Sequence, residues 1–176
     1  SGGVLSHAPR RNQSFMMIVD SFKPEGITQI AVDSIFMMPQ LGVLSSIHDE
    51  AALEVFNKDC LIRLGTSINP IIKKKTDDSD LFEYSFFYNG QDFKGKIAAN
   101  QIELISIPYD KIEVTLNPTA SVDLGNGFGE EVSANIFGGE VGILLDGRVK
   151  DSSGNIYVKN KDVLADWYNK TKVYNL

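Results

Sequence analysis

The sequence predicts an α+β fold: a short helical and αβ part at the N-terminal end, a mainly antiparallel β module, and a C-terminal helix. Two patterns predict it. Apolar residues recur at helical spacing over residues 9–22 and 161–170, whereas several segments between residues 82 and 136 alternate between apolar and polar residues. The β module is expected to be a barrel or a sandwich. The expected divisions are residues 1–65, a linker at 66–80, the β module at 81–160, and the helix and tail at 161–176.

The N-terminal part is expected to combine helices with short strands. Residues 1–5 read as the end of a strand and its turn, and Pro9 suits the first turn of a helix over residues 9–22. The apolar spacing in that helix predicts one buried stripe, made of Phe15, Ile18, Val19 and Phe22. Further along, the patterns predict a strand at residues 27–32, helices at 36–47 and 49–58, and a strand at 60–64.

A β-hairpin is the clearest local pattern. Apolar residues alternate over residues 82–88, and Asn89-Gly90 supplies the two positive-φ residues of a type I′ turn before a return strand at 93–98. Half-buried strands are predicted at 112–116 and 132–136, and the continuous apolar run at 142–145 predicts a central strand. The linker is predicted from Asn69-Pro70 and the charged residues that follow. The C-terminal helix is expected to bury Trp167.

Charge and cysteine content exclude several classes of protein. With 17 basic against 23 acidic residues, the net charge of −6 offers no patch to neutralise a nucleic-acid backbone. A single cysteine predicts a reducing compartment, and no apolar run is long enough to span a bilayer. We therefore expect a cytoplasmic protein that binds neither nucleic acid nor membrane.

No complete catalytic motif is present. The sequence contains no His-Glu-x-x-His, Gly-x-Ser-x-Gly, Walker or Cys-x-x-Cys pattern. His7 and His48 have no second ligand at a metal-like spacing, so no metal site is expected. His48 is expected at the start of a helix, and Cys60, in an apolar neighbourhood, is expected to be a buried structural thiol.

Glycines and charged residues mark three candidate sites. Gly2-Gly3 before a helix indicates either an ordinary turn or a slot where backbone approaches a nucleotide. The loop of Asp123, Gly125, Gly127 and Gly129 joins two predicted strands, which favours a wide turn over a phosphate cradle. Gly138 and Gly139 lead to Asp146 and Arg148, whose spacing fits a buried ion pair as well as a ligand contact.

Long blocks of the sequence resemble the accessory L protein family of adenosylcobalamin-dependent glutamate mutase. The blocks are Gly2 to Pro9, Pro24 to Thr28, Ala31 to Pro39, Leu41 to Leu44, Asp59-Cys60-Leu61, the loop of Asp123, Gly125, Gly127 and Gly129, the run of Gly138, Gly139, Val141 and Gly142, and Asp146 with Arg148. The resemblance covers nearly the whole chain. The chain departs from the family pattern at Phe128 and at Val149-Lys150, so an anion-binding role is not expected for those loops.

This resemblance implies the C-terminal region of a chaperone-like reactivating protein for a cobalamin-dependent mutase. Relatives look like actin-type ATPases, so residues 1–65 would be the tail of an ATPase domain. Gly2, Gly3 and His7 would then be part of an adenosine motif. The resemblance implies ATP or ADP for the full-length protein, no cofactor and no catalysis for this region, and mutase subunits as partners. An exposed apolar face also predicts a homodimer.

Two other interpretations stay open. The first is a small enzyme or ligand-binding β domain that uses Asp33, Asp123 and Asp146, with Arg148 as an electrostatic partner. The second is a purely structural β module. Convergence of Asp123, Asp146 and Arg148 around one deep pocket would favour the first interpretation.

Overall fold

A computed structural model describes residues 3–73, 79–150 and 154–174. The helices are α1 (Gly3–Ser6), α2 (Arg11–Phe22), α3 (Met38–Ser45), α4 (Asp49–Val55), which continues into a π-helical turn (Phe56–Cys60), and α5 (Lys161–Thr171). The strands are β1 (Gly26–Asp33), β2 (Leu61–Asn69), β3 (Ile71–Ile72), β4 (Asp80–Tyr88), β5 (Gln91–Ala98), β6 (Ile102–Ile105), β7 (Lys111–Pro118), β8 (Val122–Asp123), β9 (Val132–Phe137) and β10 (Gly142–Asp146).

Two four-stranded sheets and one helical layer form the fold. The first sheet has the order β1-β2-β10-β6, the second has the order β5-β4-β7-β9, and β3 pairs with β8. The pair β2–β10 is parallel, while the other named strand pairs are antiparallel. The predicted α+β class is therefore confirmed, and neither four-stranded sheet closes into a barrel within the described residues.

Two hydrophobic cores lie on opposite faces of the first sheet. One core joins Ile143 and Leu145 of β10 to the apolar face of the second sheet. The other joins Leu144 to Phe15 of α2 and Trp167 of α5. Because successive side chains of a strand point to opposite faces, β10 contributes to both cores, and all five of its residues are buried. The predicted central position of this strand is confirmed.

Close backbone approach explains how β2 meets β10. A Cβ atom on Gly65 would lie only 1.8 Å from the carbonyl oxygen of Gly142, and Gly65 has φ +144°. Only glycine avoids this collision, so Gly65 continues β2 where a side chain would separate the strands. The parallel pair brings the N-terminal part and the β module into one sheet.

Several predicted boundaries are corrected. Residues 3–6 form a helix rather than the end of a strand, whereas Gly2 lies outside the described residues. The linker prediction is wrong for residues 66–69 and 71–72, which form the end of β2 and all of β3. The remainder of that segment includes residues 74–78, which lie outside the described residues.

The buried stripe of α2 matches its predicted position except at Phe22. Phe15 and Val19 are buried as expected, but Phe22 is 75% exposed. Ser14 and Met16 are buried as well, and Ile18 packs partly buried against the same core, so Phe22 alone departs from the predicted stripe. The hairpin prediction is confirmed, since Asn89 and Gly90 both have positive φ between β4 and β5.

Candidate functional site

A mostly apolar cavity of about 640 Å³ lies between α2, α5 and the N-terminal residues. Both helices pack on the same face of the first sheet, and the cavity lies between them. Met16 and Met17 line it from α2, and Leu164, Trp167 and Tyr168 line it from α5. Its volume lies in the range of small-molecule sites, which are usually apolar with a few polar groups.

Three residues predicted as site candidates line this cavity. Gly3 begins α1 and His7 follows its end, and Arg148 reaches the cavity from the segment after β10. His7 is exposed, and its ring centroid lies 6.4 Å from that of Phe36. The structure thus brings Gly3, His7 and Arg148 to one place, although nearly the whole β module separates them in sequence.

Arg148 is held by two carboxylates. Its Nε donates to Asp146 Oδ1 at 2.9 Å, and its Nη2 donates to Asp146 Oδ2 at 2.7 Å. The same Nη2 lies 2.8 Å from Asp20 Oδ1 of α2. The guanidinium also lies 5.6 Å from the Trp167 ring centroid. Burial disfavours its charge, but the two carboxylates outweigh burial and raise the pKa of Arg148 above its ordinary value. The sequence spacing fitted either a buried ion pair or a ligand contact, and the structure shows the buried ion pair.

The glycine loop after β8 is organised by its own aspartate. Asp123 Oδ1 accepts hydrogen bonds from the backbone N–H groups of Gly125 and Gly127 at 2.7 and 2.9 Å. Gly125, Gly127 and Gly129 all have positive φ. The loop joins β8 to β9, in agreement with a wide turn between strands. The Asp123 carboxylate is thereby directed toward its own loop.

Gly138 and Gly139 serve close packing of the connection from β9 to β10. A Cβ atom on Gly138 would lie 2.1 Å from the Pro108 carbonyl oxygen, and one on Gly139 would lie 2.4 Å from the Leu64 carbonyl carbon. Both positions therefore need glycine for backbone contact within the chain. No bound molecule is required to explain these two glycines.

Asp33 organises the segment that leads into α3. Its Oδ1 accepts from the backbone N–H groups of Ile35 and Met37, its Oδ2 accepts from Met38 N–H, and its backbone carbonyl accepts from the Ser6 hydroxyl. Burial alone would raise the pKa of the Asp33 carboxyl, but these backbone donors outweigh burial and hold it below the usual value.

The three acids of the enzyme interpretation do not share the cavity. Asp33 is engaged before α3, Asp123 in the glycine loop, and Asp146 behind Arg148. Neither Asp33 nor Asp123 lines the cavity within the described residues. The convergence that would have favoured this enzyme interpretation is therefore not found among them.

The remaining candidates occupy structural positions. His48 precedes α4, and its Nδ1 accepts a hydrogen bond from Ala51 N–H at 3.4 Å, as expected for a helix start. Cys60 is buried, and burial together with the charges of Asp33 and Asp59 raises the pKa of its thiol. Across residues 3–73, 79–150 and 154–174, no group of three or more potential ligands gathers at a metal-like site.

The sequence patterns did not locate the exposed apolar surface that α3, α4 and the residues beside them form. Its exposed side chains are Ile35, Phe36, Met38, Val43, Leu44, Ile47 and Leu53, with exposed fractions from 38% to 83%. We call these seven residues the α3–α4 surface. Helices α3 and α4 form a helical hairpin. Leu41 and Ala52 are buried in this α3–α4 hairpin, yet they belong to neither hydrophobic core. The helical periodicity predicted both helices, but it did not indicate that they contribute to neither core.

Comparison with known proteins matches residues 1–60 to the family described as MutL protein. This is the family of glutamate mutase L proteins that the sequence resembles. The match runs from the N-terminal residues to the last residue of the π-helical turn, so it includes Gly3, His7 and the whole α3–α4 surface. No curated protein and no solved structure matches the chain. Among the described helices, none has the length and apolarity to cross a membrane.

Proposed function

We propose that the chain acts as an accessory component of a cobalamin-dependent mutase of the glutamate mutase type, by binding the mutase subunits. The family match over residues 1–60 is the observation that carries this proposal. The exposed apolar α3–α4 surface lies within the same residues and suits a protein contact. On this proposal the chain has no catalytic role of its own, and the mutase carries out the chemistry.

The finer parts of the proposal rest on the resemblance. They are a chaperone-like role in reactivating the mutase, an actin-like ATPase domain that includes residues 1–65 as its C-terminal part, ATP or ADP as ligand of the full-length protein, and a cytoplasmic location. Asp146 and Arg148 have a structural role in this proposal, because Arg148 is paired with Asp146 and Asp20.

Size-exclusion chromatography with the mutase subunits of the same organism tests the main proposal. We expect this chain, and the full-length protein that contains it, to co-elute with the mutase. If neither associates with the mutase at micromolar concentrations, the accessory role is wrong. A mutase inactivated by turnover serves as a second target, because a reactivating protein is expected to prefer it over the active enzyme.

Nucleotide binding by the full-length protein is a second candidate function, and the cavity that Gly3, His7 and Arg148 share would form part of its site. The single tryptophan, Trp167, lines this cavity and provides a fluorescence signal. Titration of ATP and ADP is expected to change the signal of the full-length protein but not that of this chain, because the resemblance implies only part of an adenosine motif here. Absence of nucleotide binding to both proteins would remove the nucleotide part of the proposal.

A further inference from the structure

The α3–α4 hairpin contains a shallow groove of about 210 Å³ between its helices. Met38, Leu41 and Gly42 line it from α3, and Asp49 and Leu53 line it from α4. Nothing lies within 4 Å of the position of a Cβ atom on Gly42, so the groove is open at this point. Its size suits one or two apolar side chains of a partner.

Exposed apolar residues also lie away from the groove. Val43 is 68% exposed on the face of α3 away from Met38, and Ile47, in the turn after the helix, is 83% exposed. Exposed apolar side chains that lie close together often mark a surface that contacts another protein. The hairpin therefore has the character of a segment that another surface covers.

The charged residues of α4, beside the groove, are all acidic. Residues 24–57 contain no lysine or arginine, while Asp49, Glu50 and Glu54 are exposed on α4. Within the described part of the chain, none of these three acids forms an ion pair. A complementary surface would therefore place lysine or arginine beside its apolar anchor.

The same charges argue against a second copy of this chain as the occupant. A two-fold interface would bring the acids of α4 toward the same acids of the partner, and like charges at an interface are unfavourable. The groove is also fixed before binding, because Asp33 holds Ile35, Met37 and Met38 at the start of α3. A preformed groove loses less conformational entropy when it binds.

We propose that the α3–α4 groove binds an amphipathic helical segment of another protein that carries an apolar anchor flanked by lysine or arginine. This inference deepens the proposed function, because it specifies the kind of surface that the mutase would offer. Leu53 contacts the anchor, and Asp49 and Glu54 attract the flanking basic residues.

The test uses two synthetic amphipathic helical peptides with the same leucine face, one with lysine and one with glutamate on the other face. We expect the lysine peptide to bind the wild-type chain at least about tenfold more tightly at low salt. Added salt should reduce the difference. The double variant Asp49→Asn, Glu54→Gln should lose most of the difference in affinity between the two peptides. Leu53→Ser should weaken binding of the lysine peptide by about tenfold.

Matched variants separate the groove from general charge and stickiness. Glu113→Gln with Glu131→Gln removes the same charge from an exposed position of β7 and from the exposed residue just before β9. Phe87→Ser removes a side chain that is 65% exposed, against 53% for Leu53. Both controls should bind like wild type. Equal binding of the two peptides, or equal losses in the groove and control variants, overturns the inference. Thermal unfolding by circular dichroism confirms that each variant is folded.

Mutase subunits tested with the same variants distinguish the two proposals. If the mutase binds wild type and the groove variants equally, the accessory role stands and the groove inference is wrong. If the mutase binds neither wild type nor the groove variants, but the lysine peptide prefers wild type as expected, the groove inference stands and the partner is another protein. Sedimentation that shows a wild-type dimer lost in Leu53→Ser would assign the groove to a second copy and overturn the inference.

Discussion

Arg148 carries a positive charge into the interior, with only 5% of its side chain exposed. Asp146, at 8% exposure, depends on it for charge balance and for two hydrogen bonds. A buried carboxylate that loses its partner retains the cost of desolvation without compensation. The pair also ties the end of β10 to α2 through Asp20, so it contributes to the position of the cavity wall.

Replacement of Arg148 by methionine should therefore be strongly destabilising. We expect the free energy of unfolding in urea to fall by about 3–5 kcal/mol, because Asp146 becomes an unpaired buried charge. Lys170→Ala is the matched control, since Lys170 forms an exposed i,i+4 pair with Asp166 at 2.9 Å. That control should cost less than about 1 kcal/mol. Equal losses in the two variants would contradict the structural role of the buried pair.

Asp33 should make stability depend on pH in the acidic range. Its folded-state pKa lies below the ordinary value of 3.8, so its ionised form is favoured by folding. The stabilisation is complete well above pH 3.8, and it is lost as the pH falls through the folded-state pKa. Asp33→Asn should be less stable than wild type at neutral pH, with the difference shrinking in acid. Urea unfolding of both proteins over this pH range checks the sign, and a difference that grows in acid would contradict it.

The sequence spacing predicted part of the Arg148 environment but not all of it. Asp146 and Arg148 are two residues apart, so their contact could be anticipated from local geometry. Asp20 lies more than a hundred residues earlier, on α2, and its approach depends on how the helix packs on the sheet. Asp33 was noticed only as an acid near a strand end, because its backbone partners depend on the turn before α3.

Helix α5 begins with a side-chain cap. Asn160 Oδ1 accepts a hydrogen bond from Val163 N–H at 2.9 Å. The helix then carries Trp167, whose indole N–H donates to the Asn100 carbonyl at 2.7 Å, onto the first sheet. One wall of the cavity therefore depends on a helix of only 11 residues, a length at which the terminal hydrogen bonds matter.

Asn160→Ala should lower the free energy of unfolding by about 1 kcal/mol, since the first turn of α5 loses its cap. Urea unfolding followed by Trp167 fluorescence measures this change directly at the helix concerned. The neighbouring exposed Lys161→Ala provides the control and should have an effect within about 0.5 kcal/mol. Indistinguishable stabilities of the two variants would show that the cap contributes little.

Elements determined by neighbouring residues were predicted well, and elements determined by distant ones were not. The hairpin of β4 and β5 follows from Asn89-Gly90, because both residues adopt the positive φ that its turn needs. The full length of β2 was missed, because Asn69-Pro70 and the charged residues after it indicate a linker. The strand continues past Gly65 because of its contact with Gly142, which lies far along the chain.

At the scale of the whole molecule, the first sheet connects the two ends of the sequence. β10 lies between β2 and β6, so one of its neighbours comes from the N-terminal part and the other from the β module. The core on each face of β10 also takes residues from both parts, such as Ile27 with Leu81 and Phe15 with Ile102. The sequence-based division at residues 65 and 66 falls inside β2, so we expect the two parts to fold together.

A chain shortened to residues 79–176 should therefore fail to fold cooperatively. It retains β10 and β6 but lacks β2, which leaves the central strand with an unpaired edge and exposes apolar side chains on that face. We expect aggregation, or a thermal unfolding transition that is broad and has little cooperativity. Co-expression with a second piece, residues 1–73, should restore a soluble complex with the fluorescence of buried Trp167, because every strand pair of the first sheet is then present. A shortened chain that alone gives a dispersed amide spectrum and a sharp unfolding transition would show that the β module folds independently, and the shared sheet would then be a docking contact rather than a requirement for folding.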